Sequence, residues 1–137
     1  MNIHYTIGDF MSSELITFTK ETPIEAAIET FLTKKISGAP VVDSDGNIVG
    51  ILSEKDCLKR FFESSYYNNP GGYVKEYMST EVTSISLHDP LSNVAEKFIQ
   101  TRFKRFPVLD GNKLVGQISR RDILKAIDKL SKDESTS

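Results

Sequence analysis

The chain has 137 residues, a formal net charge of −2, and 39% hydrophobic against 26% charged residues. These are the proportions of one compact globular unit, or of two small ones that share a core. They exclude general nucleic-acid binding, no apolar run is long enough to span a bilayer, and the single cysteine, Cys57, excludes an internal disulfide and a multi-cysteine metal site.

The polar opening Met1-Asn2-Ile3-His4-Tyr5 does not read as a signal peptide, so a reducing cytoplasm is the expected compartment. Leu15 to Phe18, β-branched and apolar, reads as a strand. Thr22-Pro23-Ile24-Glu25 reads as a helix start, with Thr22 as N-cap, Pro23 at the first helical position and Glu25 closing a capping box. Ile24, Ala27, Ile28, Phe31 and Leu32 then recur at the spacing of one apolar helix face, and Ser37-Gly38 ends it. Ala39 to Val42 and Ile48 to Leu52 read as two strands around an Asp43–Asn47 hairpin turn. A helix follows from Glu54 to about Phe62, with Leu58, Phe61 and Phe62 apolar. Ser64 to Tyr73, polar, aromatic and glycine-rich, reads as a loop.

The same succession then recurs. Val82 to Ser86 is the expected strand, and Asp89-Pro90 caps a helix with Leu91, Val94, Ala95, Phe98 and Ile99 on its apolar face. Phe106 to Leu109 and Leu114 to Ile118 flank the turn Asp110-Gly111-Asn112, and a closing helix runs from Arg120 to about Leu130 with Ile123, Leu124, Ile127 and Leu130 inward. The register proves the duplication. Met11-Ser12, Pro23, Phe31, Pro40-Val41 and Asp43 return 67 positions later as Met78-Ser79, Pro90, Phe98, Pro107-Val108 and Asp110. After a one-residue deletion, Gly50, Ser53, Asp56, Leu58 and Lys59 return 66 positions later as Gly116, Ser119, Asp122, Leu124 and Lys125. The expected organisation is a first repeat at 8–62, a linker at 63–74, a second repeat at 75–130 and a polar, frayed tail at 131–137. The fold class is α+β, two β-α-β-β-α repeats related by a pseudo-twofold axis. Each copy is too small to be very stable alone, and apolar helix faces left over favour a symmetric dimer.

Both copies carry Ser-x-x-Asp where a strand hands over to a helix: Ser53 and Asp56, then Ser119 and Asp122. A hydroxyl and a carboxylate so spaced can cap the helix, or hold a ligand with both a phosphate and a diol, and the two roles are compatible. Arg120-Arg121 sits oddly, because a helix start is already positive and repels cations; a bound anion removes the oddity. Charge is uneven in the same sense. Residues 1–74 hold six Lys/Arg and ten Asp/Glu, whereas residues 75–130 hold ten and seven. His4 and His88 lie in no metal or catalytic spacing and read as structural, Cys57 as an inert thiol, and Phe61-Phe62 and Tyr66-Tyr67 as packing or dimer contacts.

The segments Gly38-Ala39-Pro40-Val41-Val42-Asp43 with Gly50-Ile51-Leu52-Ser53-Glu54-Lys55-Asp56, and Phe106-Pro107-Val108-Leu109-Asp110 with Gly116-Gln117-Ile118-Ser119-Arg120-Arg121-Asp122, together resemble a pair of cystathionine β-synthase (CBS) domains, a Bateman module. The resemblance covers nearly the whole chain. It implies a regulatory module that binds adenosine-containing ligands in a cleft between the repeats, Asp on the ribose and Ser facing the phosphates. Carried onto this sequence, one site uses Ser119, Arg120, Arg121, Asp122 and Lys104, with Met11, Ile16, Ile36, Ala39 and Pro40 around the base. A second uses Ser53, Lys55, Asp56, Met78, Thr83 and Phe103. The second is less positive, since Ser37 matches Lys104 and Glu54 matches Arg120, and Phe106 in place of Ala39 puts a bulky ring where a base would lie.

No nucleophile–His pair, metal spacing or phosphate-binding glycine loop is present, so the expectation is a non-enzyme without metal or resident cofactor. The leading reading is a homodimeric sensor of an adenine nucleotide (AMP, ADP or ATP, with or without Mg²⁺) that signals to a separate effector protein. The alternative is a ligand-free dimerisation module that docks on a partner.

Overall fold

The computed structural model describes residues 5–67 and 71–136, the side chains of 64–67 and 134–136 excepted. The chain forms two compact units, one of Ile16–Val82 and the other of Met1–Leu15 with Thr83–Ser137. Each repeat therefore lends the segment before its first strand to the unit of the other repeat.

In the Ile16–Val82 unit, helix α1 (Ile24–Lys34) leads to the antiparallel pair β1 (Gly38–Val42) and β2 (Ile48–Ser53), then α2 (Glu54–Cys57) and α3 (Lys59–Tyr67). The α1 helix stops because Lys35 takes a left-handed conformation, φ 55°. The hairpin turns at Gly46, φ 82°, and Asp43 Oδ1 accepts from the backbone N–H groups of Asp45 and Asn47. Phe18, Ile24, Ala27, Phe31, Ala39, Val41, Leu52, Val74 and Tyr77 form the core. Val74 comes from a 3₁₀ turn, Val74–Glu76, at the start of the second repeat, and Tyr77 is the residue that closes it, its N–H donating to the Val74 carbonyl.

The other unit has the matching parts: β3 (Ile85–Ser86), α4 (Leu91–Gln100), the antiparallel pair β4 (Arg105–Asp110) and β5 (Lys113–Ser119), and α5 (Arg120–Thr136). Its core of Ile85, Val94, Phe98, Phe106, Val108, Ile118 and Ile123 includes Ile7, from the 3₁₀ turn Ile7–Asp9 near the start of the chain.

The two cores solve one packing problem in opposite ways. Phe31 and Phe98 are matching positions. Against Phe31 packs Phe18, with the small Ala39 on the adjacent strand. Against Phe98 packs Phe106, at the position of Ala39, while Ile85 replaces Phe18. The ring that the preceding segment supplies in one core is supplied by the hairpin strand in the other, and the second core holds more side-chain volume at these two positions, since Ile85 is larger than Ala39.

The lent segments are clipped on by paired backbone bonds. Ser12 exchanges N–H···O bonds with Gln117, both 2.9 Å, and Ser79 does the same with Ile51. Close approach requires a glycine beside each clip. A Cβ on Gly116 would lie 2.6 Å from Met11 Sδ and 2.8 Å from the Ser12 carbonyl; on Gly50 it would meet Met78 Sδ at 2.9 Å and the Ser79 carbonyl at 2.8 Å. Gly116→Ala is expected to destabilise the protein by about 1–3 kcal/mol, since a backbone oxygen cannot step aside as a side chain can; a urea unfolding midpoint equal to wild type would contradict this.

Several sequence expectations are corrected. Leu15–Phe18 forms no strand: only Phe18 bridges β1, in the parallel sense, through Phe18 N–H to the Pro40 carbonyl and Val42 N–H to the Phe18 carbonyl. The expected Val82–Ser86 strand shrinks to Ile85–Ser86, paired in parallel with β4. Pro23, not Thr22, is the N-cap of α1. Thr22 Oγ1 instead accepts from Thr19 N–H, and Glu25 pairs with Arg60 at 2.8 Å. Pro90 likewise caps α4, and Asp89 accepts from Ser86 N–H. The helix expected over Glu54–Phe62 breaks at Leu58 and then continues to Tyr67, so the first residues of the expected loop are helical; 68–70 lie outside the described residues. The closing helix runs to Thr136 and takes up most of the expected frayed tail. Leu32 (71% exposed) and its match Ile99 (84%) face outward, as do Leu124 and Ile127.

Candidate functional site

At Ser119 the strand β5 ends in extended backbone and α5 begins. The Ser119 N–H donates to Asp122 Oδ2 at 2.8 Å, and the Asp122 N–H donates to Ser119 Oγ at 3.1 Å. The first copy repeats this reciprocal capping box: Ser53 N–H to Asp56 Oδ2 at 2.9 Å, and Asp56 N–H to Ser53 Oγ at 3.1 Å. Capping is therefore real in both copies, and it also orients the carboxylate. One carboxylate oxygen is held by the backbone, which fixes the plane of the carboxylate. The other, Oδ1, makes no hydrogen bond among the described residues in either copy. The serine oxygen accepts from the backbone, so its own proton remains to be donated. All four side chains are half-buried.

The surroundings of the two boxes differ. The Arg120 N–H donates to the Lys104 carbonyl at 3.0 Å and Arg105 lies opposite Ser119 in the β4–β5 register, which brings Lys104, Arg105, Arg120 and Arg121 to one end of the hairpin. All four are exposed, and none has an ion-pair partner among the described residues. In the first copy Glu54 N–H donates to the Ser37 carbonyl at 2.9 Å and Gly38 lies opposite Ser53. The matching four residues there are Ser37, Gly38, Glu54 and Lys55, with no net charge. The helices differ as well: α5 spans 17 residues and α2 only 4, so aligned peptide dipoles back Ser119 far better than Ser53.

The candidate residues fall in both units. Met11, Lys104, Ser119, Arg120, Arg121 and Asp122 share one, and there Met11 packs on Gly116 of the strand that carries Ser119. Ile16, Ile36, Ala39 and Pro40 belong to the other unit; the first two are half-buried, and Ala39 and Pro40 are buried, Ala39 in the core. Of the second set, Ser53, Lys55, Asp56 and Met78 share a unit, with Met78 on Gly50, while Thr83 and Phe103 lie in the other. The Phe106 ring, expected to occupy ligand space, is 1% exposed and sits in its own unit's core between Phe98 and Phe103, with centroids at 4.5 and 5.6 Å.

Sequence reasoning missed the placement or role of three features. Arg105, which reads in the sequence as surface charge beside Lys104, is set opposite Ser119 by the strand register, as counting outward from the Asp110-Gly111-Asn112 turn does reveal. Gly50 and Gly116 matter because of segments far away in the chain. Arg60, nearly buried, donates from Nε to Glu25 and lies 4.0 Å from Glu63, which also accepts from the Tyr77 hydroxyl. Burial and the Glu63 carboxylate both push the Tyr77 phenol above its ordinary pKa. Nothing in the sequence marks that network. Cys57 is buried, and burial together with the charges of Asp56 and Glu54 pushes its thiol up to about 11, so at neutral pH it is protonated and a poor nucleophile. His88 is exposed, 3.4 Å from Asp110; His4 lies outside the described residues. Among the described residues no group of His, Cys, Asp and Glu could hold a metal ion, and no helix is long and apolar enough to cross a membrane.

Two matching units of helix, hairpin and helix, the second with a short strand before its first helix and each ending its hairpin in a Ser–Asp box, define a tandem-repeat module. The CBS domain profile matches residues 7–63 and again 74–129, and the chain belongs to the CBS-domain family, carrying the domain twice. Among solved structures it is similar to CBSX2 in complex with AMP, at 28% identity and a TM-score of 0.78, covering 93% of this chain and 99% of that one. The chloroplastic CBSX2 of Arabidopsis thaliana is 25% identical over 161 residues, 97% of this chain and 68% of that protein. Protein MJ1225 of Methanocaldococcus jannaschii is 28% identical over 125 residues, 91% of this chain, which spans only 44% of that protein's length. The CBS pair of MJ0100, solved with 5′-methylthioadenosine and S-adenosyl-L-methionine, is 25% identical with a TM-score of 0.70, covering 91% of this chain and 97% of that one.

Proposed function

We propose that this chain is a regulatory module that binds an adenosine-containing nucleotide at its Ser–Asp boxes and signals the occupancy to a separate protein. The observation that carries the reading is the half-satisfied carboxylate of Asp122. Its Oδ2 is fixed by Ser119 N–H and its Oδ1 is open, which suits the paired hydroxyls of a ribose, groups a phosphate cannot offer. The Ser119 hydroxyl and the first N–H groups of α5 suit a phosphate beside it. The AMP held by CBSX2, and the methylthioadenosine and S-adenosylmethionine held by MJ0100, share the adenosine. The Ser119 box is the favoured site and the Ser53 box a weaker second one. The module performs no catalysis and works in the cytoplasm, a reducing compartment compatible with the lone buried Cys57. Ligand binding changes the partner's affinity only in so far as the partner distinguishes the two states.

A second reading is favoured by one specific observation. Leu32, Leu58, Phe61 and Phe62 of one unit, and Ile99, Leu124 and Ile127 of the other, are large, apolar and exposed on helices or between them. We infer that a second copy of the chain covers these faces. A docking module needs that dimer and no ligand; a sensor has both. Thermal unfolding separates them. A sensor gains several degrees with adenosine, AMP, ADP, ATP, S-adenosylmethionine or NADH at concentrations well above Kd. A transition that none of these moves, in a protein that sediments as a dimer, leaves the docking module.

A further inference from the structure

We infer that Tyr5 is a positioning residue for the Ser119 site: its hydroxyl, clasped to Asp133 late in α5, holds the segment 5–12 in place, and that segment braces the end of β5 from which α5 sets out. The inference rests on the adenosine reading above. On α5 the buried Ile123 and Ala126 and the half-buried Leu130 and Asp133 follow one another at helical spacing, so a carboxylate stands where the pattern calls for an apolar side chain. The Tyr5 hydroxyl donates to Asp133 Oδ2. That bond raises the Tyr5 phenol above its ordinary pKa, so at neutral pH the hydroxyl keeps the proton it donates. The Tyr5 ring meets Phe10 edge-on at 5.5 Å and lies 5.6 Å from the Lys129 ammonium. From there the segment is held along its length. Thr6 N–H donates to Asp9 Oδ2 at 2.8 Å, Ile7 is buried in the core, and Met11 N–H donates to the Ile7 carbonyl at 2.9 Å. Met11 Sδ then rests on Gly116, and Ser12 pairs with Gln117, two residues before Ser119. Asp133 lies about 20 Å along the helix from Arg120, at 1.5 Å per residue, so Tyr5 acts on the box only through this segment. The duplication did not supply the clasp. Gly72, Glu63 and Tyr67 occupy the positions of Tyr5, Lys129 and Asp133. In the other unit the lent segment is tied by Tyr77, at the position of Phe10, whose hydroxyl donates to Glu63 of α3. A tie that holds the handover in its binding geometry before the ligand arrives raises affinity.

The test combines isothermal titration with AMP, ADP and ATP and amide hydrogen exchange, on the full chain and on Tyr5→Phe and Tyr77→Phe. Tyr5→Phe is expected to bind the tightest of the three nucleotides about fivefold more weakly than the wild type. Without nucleotide, its Ser12 and Gln117 amides, which make the paired bonds, are expected to exchange several-fold faster. Tyr77→Phe removes the same kind of bond from the other unit; it is expected to lower the urea midpoint and leave nucleotide affinity unchanged. Wild-type affinity in Tyr5→Phe overturns the inference and leaves the adenosine reading standing. Unchanged exchange at Ser12 and Gln117 overturns the inference too, with or without a ligand. An equal loss of affinity in Tyr77→Phe would trace the effect to general stability and overturn the inference. Binding of none of the three by the wild type overturns the adenosine reading and the inference together.

Discussion

Phe106→Ala is expected to cost about 3–5 kcal/mol of stability, enough to unfold much of the protein at modest denaturant. The ring is 1% exposed, packs against Phe98 and Phe103, and lies 5.5 Å below the Lys97 ammonium. Its loss removes apolar burial and leaves a cavity that the β4–β5 hairpin cannot close. The other unit shows what would close it. Ala39 occupies the matching position there because Phe18 supplies the ring from the neighbouring segment. Ile85 is the residue that matches Phe18. The double variant Ile85→Phe/Phe106→Ala is therefore expected to regain more than half of the loss in urea unfolding, a strong coupling between two positions that share one cavity. Simple addition of the two single costs would contradict the packing account.

Asp122→Asn is expected to weaken binding of the preferred nucleotide roughly 10- to 100-fold, the worth of hydrogen bonds to a charged acceptor. Its expected effect on stability is under about 1 kcal/mol, because an amide oxygen can still accept from Ser119 N–H. That separation of binding from stability is the point of choosing asparagine. Alanine at the same position would remove the cap and the ligand contact at once. A variant that binds as the wild type does would mean that the carboxylate serves the helix alone. Asp56→Asn, at the box with no surplus of positive charge, is the matched control and should change the affinity of the main site little.

The parts legible in the sequence were those dictated by local chemistry or by repetition. Asp43-Ser44-Asp45-Gly46-Asn47 and Asp110-Gly111-Asn112 turn where they were expected to, because each places a glycine at positive φ, and the two Ser-x-x-Asp handovers form the same capping box. The lent segments were not legible. Ile7 is buried in a core built otherwise from residues of the second half, and only the tertiary structure reveals what Gly116 makes room for. Leu15–Phe18 has strand composition, yet a single bridge at Phe18 is all that forms where the chain passes from one unit to the other. Helical periodicity overreached in a similar way. Leu32 and Ile99 fit the apolar pattern, but their own units leave both exposed, because a repeated apolar pattern does not say whether the covering surface belongs to the same chain. At the candidate site, Asp122, Ser119 and the neighbouring arginines could be read directly; Arg105 needed the strand register.

The most direct test of the central claim is titration of purified protein with AMP, ADP, ATP, S-adenosylmethionine and NADH, with and without Mg²⁺, in parallel with Asp122→Asn. The account predicts saturable heat for at least one of them, near one ligand per chain, and its loss or marked weakening in the variant. No heat with any of the five, and no nucleotide carried through purification, would contradict it.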